Sequence, residues 1–145
     1  ISSTFWTERI GPTAALATLE EMEKQQSWEV ITATGKKVQQ GWQELANANN
    51  IEISLHGIPA ICMYAFTSPN ALKYKTLVTQ EMLKKGFLAS TNFYASTAHK
   101  QEHLDAYFNA LNSVYQVIDK CEKNLLNIDG LLEGPVCHSG FKRLN

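Results

Sequence analysis

The hydrophobic positions along the chain change period several times, and each change marks an element. Pro12 stands at the head of an Ala- and Leu-rich stretch, where proline suits a first helical turn. The spacing predicts a helix over residues 12–25, with Ala15, Leu19 and Met22 on one face. Trp28, Ile31, Gly35, Val38, Trp42 and Leu45 recur at intervals of three and four, an amphipathic helical stripe. Ser27 is its expected N-cap, and the run of Asn47, Ala48, Asn49 and Asn50 is its stop.

After Asn50 the period drops to two. Ile51, Ile53 and Leu55 alternate with Glu52, Ser54 and His56, which is strand spacing. Residues 57–59 read as a turn, and residues 60–66 as the partner strand, buried on both faces. Ser68, Pro69 and Asn70 precede a third helix reaching Lys85. Its expected apolar side is Tyr74, Leu77, Val78, Met82 and Leu83, and Gly86 suits the position just past its end. Residues 87–90 read as a short strand and residues 91–98 as a polar and aromatic loop. A last long helix covers residues 100–124, with Leu104, Phe108, Leu111, Val114, Ile118 and Cys121 facing inward. Residues 125–145 read as an ordered extension or coil. The class is α+β: an antiparallel sheet of three or more strands covered by helices.

Composition narrows the function classes. The chain has 145 residues, 44% of them hydrophobic, enough for one core. Thirteen basic residues against 14 acidic give a net charge of -1, with no long run of either sign. That argues against a nucleic-acid partner and against electrostatic attachment to a membrane. No apolar stretch nears the roughly 20 residues that span a bilayer. Ile1 opens into a polar stretch without a secretory pattern, and the lack of an initial Met suggests a fragment. Cys62, Cys121 and Cys137 are odd in number and widely spaced, unlike a disulfide framework, so a cytoplasmic location is expected. His99 and His103 can share a helix face, but no further ligand stands at a convincing spacing for a metal.

Two stretches carry a resemblance. Ser2-Ser3-Thr4-Phe5-Trp6-Thr7-Glu8-Arg9-Ile10-Gly11-Pro12 leads into the Ala-rich helix, and Met82-Leu83-Lys84-Lys85-Gly86-Phe87-Leu88-Ala89-Ser90 is followed by Ala95-Ser96-Thr97-Ala98-His99 and the final helix. In their order and separation they resemble the class III family of pyridoxal-phosphate (PLP) aminotransferases, the group that includes glutamate-1-semialdehyde 2,1-aminomutase. The resemblance spans residues 2–118. It implies the small C-terminal α+β domain of the type I PLP-dependent transferase fold. Residues 1–26 are then a segment from the edge of the large cofactor domain with its connecting helix, residues 27–124 the small domain, and residues 125–145 a C-terminal extension.

The resemblance also implies partners and sites. A missing N-terminal large domain supplies the Schiff-base lysine, a homodimer partner completes the active site, and a small amine or amino acid is the substrate. Thr4, with Ser3 beside it, is the implied cofactor-binding residue, on the phosphate held by the other subunit; a turn residue is the plainer reading. Glu8 and Arg9 are placed near the active-site mouth, or else as a surface ion pair. Arg143 suits a substrate carboxylate but also a solvated tail, and residues 92–94 suit the substrate entrance. No catalytic residue is assigned within the chain. Its lysines fall in helical patterns, and none follows an apolar strand, so the chain alone is expected neither to hold PLP nor to turn over substrate. Arg9-Ile10-Gly11-Pro12 stands where the family has Gly-Asn-Pro, and the segment before His99 is shorter than in the aminomutases. Transamination of another amine is therefore as open as the aminomutase reaction. The alternative from another class is a stand-alone, non-catalytic binding or dimerisation module.

Overall fold

The computed structural model describes residues 7–140. Ser3, Thr4 and Arg143, singled out in the sequence, lie outside the described residues. The order of elements is the expected one: α1 (Ile10–Gln25), α2 (Ser27–Ala48), β1 (Ile53–Ile58), β2 (Ile61–Phe66), α3 (Ala71–Lys84), β3 (Asn92–Tyr94) and α4 (Gln101–Glu122), followed by a 3-10 turn at Ile128–Gly130. The strands form one antiparallel sheet in the order β1-β2-β3, and α2, α3 and α4 pack together with α2 and α3 against β2. The expected α+β class, a three-stranded antiparallel sheet under helices, is observed.

The core lies between sheet and helices. In β2, Cys62, Tyr64 and Phe66 point inward while Ile61, Met63 and Ala65 stay exposed. Strand alternation therefore holds, and the expected two-sided burial of this run is corrected. Trp42, Tyr74, Leu77, Val78, Leu111, Tyr115 and Ile118 complete the core. Its aromatic rings meet edge-on or tilted: Tyr64 sits 4.8 Å from Trp42 and 5.4 Å from Phe66, which in turn sits 5.6 Å from Tyr74. Each such pair adds about 0.5–1.5 kcal/mol beyond area burial.

The boundaries show where local chemistry prevailed. Ser27 is the first residue of α2 and not its cap; Gln26 holds that place in a left-handed conformation, and the Ser27 hydroxyl is buried without a partner among the described residues. The hairpin turn falls at Pro59 and Ala60, because Ile58 still pairs with Ile61. Gly86 ends α3 as expected: with φ of +85°, it lets Gly86 N–H reach the Leu83 carbonyl and Phe87 N–H reach Met82. The short strand expected at residues 87–90 is absent. The third strand is Asn92–Tyr94, inside the expected loop, because Cys62 and Met63 pair with Phe93 and Asn92. Trp28 and Leu83, read as inward, are exposed, whereas Tyr107 is buried and Phe108 only half-buried.

The tail runs back along α3. Ile128 enters the core, Asp129 pairs with Lys73 at 2.6 Å, Glu133 pairs with Lys84 at 2.6 Å, and Gln80 bonds the backbone of Leu131 and Glu133. At the other end, α1 packs against α2 yet buries none of its own residues. Of the stripe read in the sequence, Ala15, Leu19 and Met22, all three are exposed, Leu19 by 60% and Met22 by 42%, and Leu16 beside them is 63% exposed, so nothing within the described residues covers this apolar side of α1.

Burial also sets a pH limit. Desolvation, then the neighbouring Glu122, pushes the Tyr74 phenol from 10.0 up to about 12. Burial raises Tyr107 and Tyr115 as well. In the unfolded chain these phenols lose their protons near their ordinary value, while in the folded chain they keep them. Stability is therefore complete below pH 10 and falls as pH rises toward 12. Urea midpoints recorded across that range are expected to drop steeply, and Tyr74→Phe is expected to flatten part of the drop.

Candidate functional site

The segment of residues 87–99, which the sequence analysis singled out, folds around one cleft. Four elements build it: the turn after α3, strand β3, the loop 95–100 and the first turns of α4. The cleft has a volume of about 320 Å3 and is lined by Phe87, Ala89, Phe93, His99, His103 and Tyr107, among others. Its position follows from the Gly86 turn, which swings Phe87 back over the core, and from β3, which sets Phe93 opposite Cys62 on the inner side of the sheet.

Aromatic contacts fix the walls. The rings of Phe93 and His99 lie 4.8 Å apart at 43°, and those of Phe87 and Tyr107 lie 6.1 Å apart at 70°. The Tyr107 hydroxyl accepts a 2.7 Å hydrogen bond from the buried Trp42 indole N–H. Burial pushes its phenol well up, so it stays neutral at any ordinary pH.

Both imidazoles are oriented by backbone. Ser96 N–H donates to His99 Nδ1 at 3.0 Å, and Lys100 N–H donates to His103 Nδ1 at 3.2 Å. Each neutral ring therefore carries its proton on Nε2, as a donor. His99 thus bonds nearby backbone at the start of the last helix, as the sequence suggested. The cleft offers an apolar, aromatic wall with two fixed imidazole donors. It suits holding or shaping one end of a small molecule, and none of the hydrogen bonds in it joins a nucleophile to a base. No cluster of three or more His, Cys, Asp or Glu suited to a metal occurs among the described residues.

The other sequence-predicted residues stand elsewhere. Glu8 caps α1: its carboxylate accepts from Ile10 N–H at 2.7 Å and from Gly11 N–H at 2.9 Å, where the positive end of a helix favours a negative charge. Arg9 occupies the N-cap position of the same helix. Asn92, Phe93 and Tyr94 do line the cleft, as a strand and not a loop. Tyr107 and His103 were not singled out for this place. Tyr107 could have been, because Leu104, Tyr107 and Leu111 share the three–four spacing of the buried stripe.

The lysines take surface positions. None is buried among the described residues; Lys37 bonds Gln101, Lys73 bonds Asp129, Lys84 bonds Glu81 and Glu133, and Lys123 bonds Asp119. All the lysines among the described residues are on helices or helix ends.

Comparison with known proteins places this geometry in context. No protein-family model matches the chain. In an alignment 116 positions long that covers 70% of this chain and 27% of the relative, it is 27% identical to glutamate-1-semialdehyde 2,1-aminomutase of Desulfosudis oleivorans. Its fold matches part of the PLP internal aldimine form of the FumI protein of Sphingopyxis sp. MTA144, with a TM-score of 0.75 and 17% identity, over 91% of this chain and 32% of that one. The chain thus spans about a third or less of the length of either relative. The resemblance to PLP-dependent enzymes read in the sequence is borne out, and so is the small α+β unit of their fold. The described residues do not themselves fit the cofactor, since none offers the buried amine that a Schiff base needs.

Proposed function

We propose that this chain is the small C-terminal domain of a class III PLP-dependent aminotransferase or aminomutase, which shapes the substrate pocket and closes over a cofactor held by a separate large domain. The observation that carries this reading is the sequence likeness to glutamate-1-semialdehyde 2,1-aminomutase across 116 aligned positions, reinforced by the fold match to FumI. The uncovered stripe of α1 supports it further, because a helix with Leu16 and Leu19 open to water is one that packs on something larger. Bound PLP supplies the electron sink in enzymes of this kind. This chain's contribution is the cleft wall of Phe87, Phe93 and Tyr107 and the oriented imidazoles of His99 and His103, which position a substrate and exclude water when the domains close. Thr4 and Ser3 are assigned, from the resemblance alone, to the cofactor phosphate of the other subunit in the homodimer, where a hydroxyl can make a charge-assisted hydrogen bond. Glu8 and Arg9, at the head of α1, are assigned to the mouth of that site in the intact enzyme. The substrate is a small amine or amino acid, and the compartment is the cytoplasm.

The test is a PLP titration of the chain alone, followed by borohydride reduction and peptide mapping. The expected result is no imine absorbance and no adduct at a defined lysine. A single stoichiometric adduct would overturn the division of labour, since the reactive amine would then lie within these residues.

A further inference from the structure

The polar groups of the cleft of His99 and His103 fix the sign of what it can hold. The lone pair of each imidazole is taken at Nδ1 by a backbone N–H, that of Ser96 at 3.0 Å and that of Lys100 at 3.2 Å. Each Nε2 is therefore left as an N–H donor. His99 Nε2 takes no hydrogen bond among the described residues. His103 Nε2 has the Glu102 carboxylate near it at 3.8 Å, beyond hydrogen-bond distance.

Around these donors the wall is apolar. Phe87, Leu88, Phe93 and Leu104 line the space, and the Phe93 ring stacks beside the His99 ring. Leu88 is 98% exposed, an apolar side chain that nothing among the described residues covers. The first turn of α4 forms one side, and the positive end of a helix favours a negative charge. Glu102 is the opposing charge, but it is 73% exposed, where solvent and salt screen it.

We propose that this cleft binds a short apolar monocarboxylate, whose carboxylate accepts from His99 Nε2–H and His103 Nε2–H while its hydrocarbon lies on Phe87, Leu88 and Phe93. A carboxylate has two acceptor oxygens and no donor, and hydrogen bonds to a charged acceptor are the strong ones. An ammonium ion brings donors to meet donors. A metal ion finds no lone pair, because both Nδ1 atoms are occupied and both Nε2 atoms carry protons. The volume of about 320 Å3 stands at the lower end of the roughly 300–1,000 Å3 of small-molecule sites, which keeps the acid short. The binding stands on this chain alone; its use as a substrate contact rests on the proposed function.

The experiment is an NMR titration of the amide and imidazole N–H signals of the chain, at neutral pH and without PLP. Hexanoate is the probe, with hexanol, hexylammonium and inorganic phosphate as parallel arms. Saturable shifts at His99, His103 and Phe93 are expected with hexanoate. Binding about tenfold weaker is expected for hexanol, which has the apolar body without the charge, and for His103→Ala, whose side chain is 55% exposed and which is expected to fold as the parent does. Glu102→Gln removes the opposing charge and is expected to bind about twofold tighter. Equal affinity for hexanol or hexylammonium, phosphate binding as tightly as hexanoate, shifts centred elsewhere, full affinity in His103→Ala, or no gain in Glu102→Gln would each overturn the proposal. Because PLP is absent, any of these failures leaves the PLP-domain reading standing, and a PLP adduct at a defined lysine would leave this one standing.

Discussion

Gly35→Ala is expected to destabilise the chain by about 3 kcal/mol, the upper end for overpacking in a close-packed core. Gly35 lies on the face of α2 that meets the hairpin. A Cβ built there would sit 1.7 Å from the Pro59 carbonyl oxygen and 2.4 Å from its carbon. Both obstacles are backbone, in the two-residue turn that fixes the register of β1 on β2. No side chain can swing aside, so the helix must lift from the sheet or the turn must deform. The Cys62 thiol, 4.0 Å from the Gly35 carbonyl, reports how close the two surfaces lie. Urea unfolding followed by circular dichroism should show a lower midpoint with little change in slope. A parent-like midpoint would mean that α2 and the turn are not packed as described.

Trp42→Ala is expected to cost about 3–5 kcal/mol, a large share of the roughly 5–15 kcal/mol that holds a domain folded. Trp42 is completely buried, it packs on Tyr64, and it donates to the Tyr107 hydroxyl at 2.7 Å. The substitution removes the largest buried side chain and strands that hydroxyl in the core. The chain is expected to become partly or wholly unfolded at 37 °C by circular dichroism. Trp42→Phe separates the two contributions: it keeps most of the volume, loses the hydrogen bond, and is expected to remain folded with an intermediate loss. Equal, small effects from both would show that Trp42 is not central to the core. Because Tyr107 also lines the cleft of His99 and His103, this bond ties the core to the cleft wall.

What the sequence revealed depended on how much of the environment is local. The helices were legible because Val38, Trp42 and Ala46, or Leu104, Leu111 and Ile118, repeat at the helical period and are all buried. The hairpin was legible from the alternation in Ile51, Ile53 and Leu55. The third strand was not. Residues 87–90 are apolar because Phe87 and Ala89 pack beside the core after the Gly86 turn, which requires no ladder. Asn92–Tyr94 is too short to show a strand period, although Phe93 and Tyr94 favour strands, and it is a strand because β2 pairs with it. Trp28 and Leu83 misled for a related reason: a stripe marks what a helix can bury, and the structure decides how far along its length a partner extends.

The candidate site divided in the same way. The segment ending at His99 was found through resemblance, and its backbone bond through the habits of histidine at a helix start. The roles of Tyr107 and His103 arise from four elements meeting, which no short window of sequence encodes.

The account as a whole rests on a cofactor domain joined to these residues in the intact protein. Reading the coding frame upstream of the Ile1 codon tests it most directly. The expected result is a continuous open frame encoding a large α/β domain with a lysine just after an apolar strand. A start codon immediately before Ile1, or a preceding region with no such lysine, would contradict it.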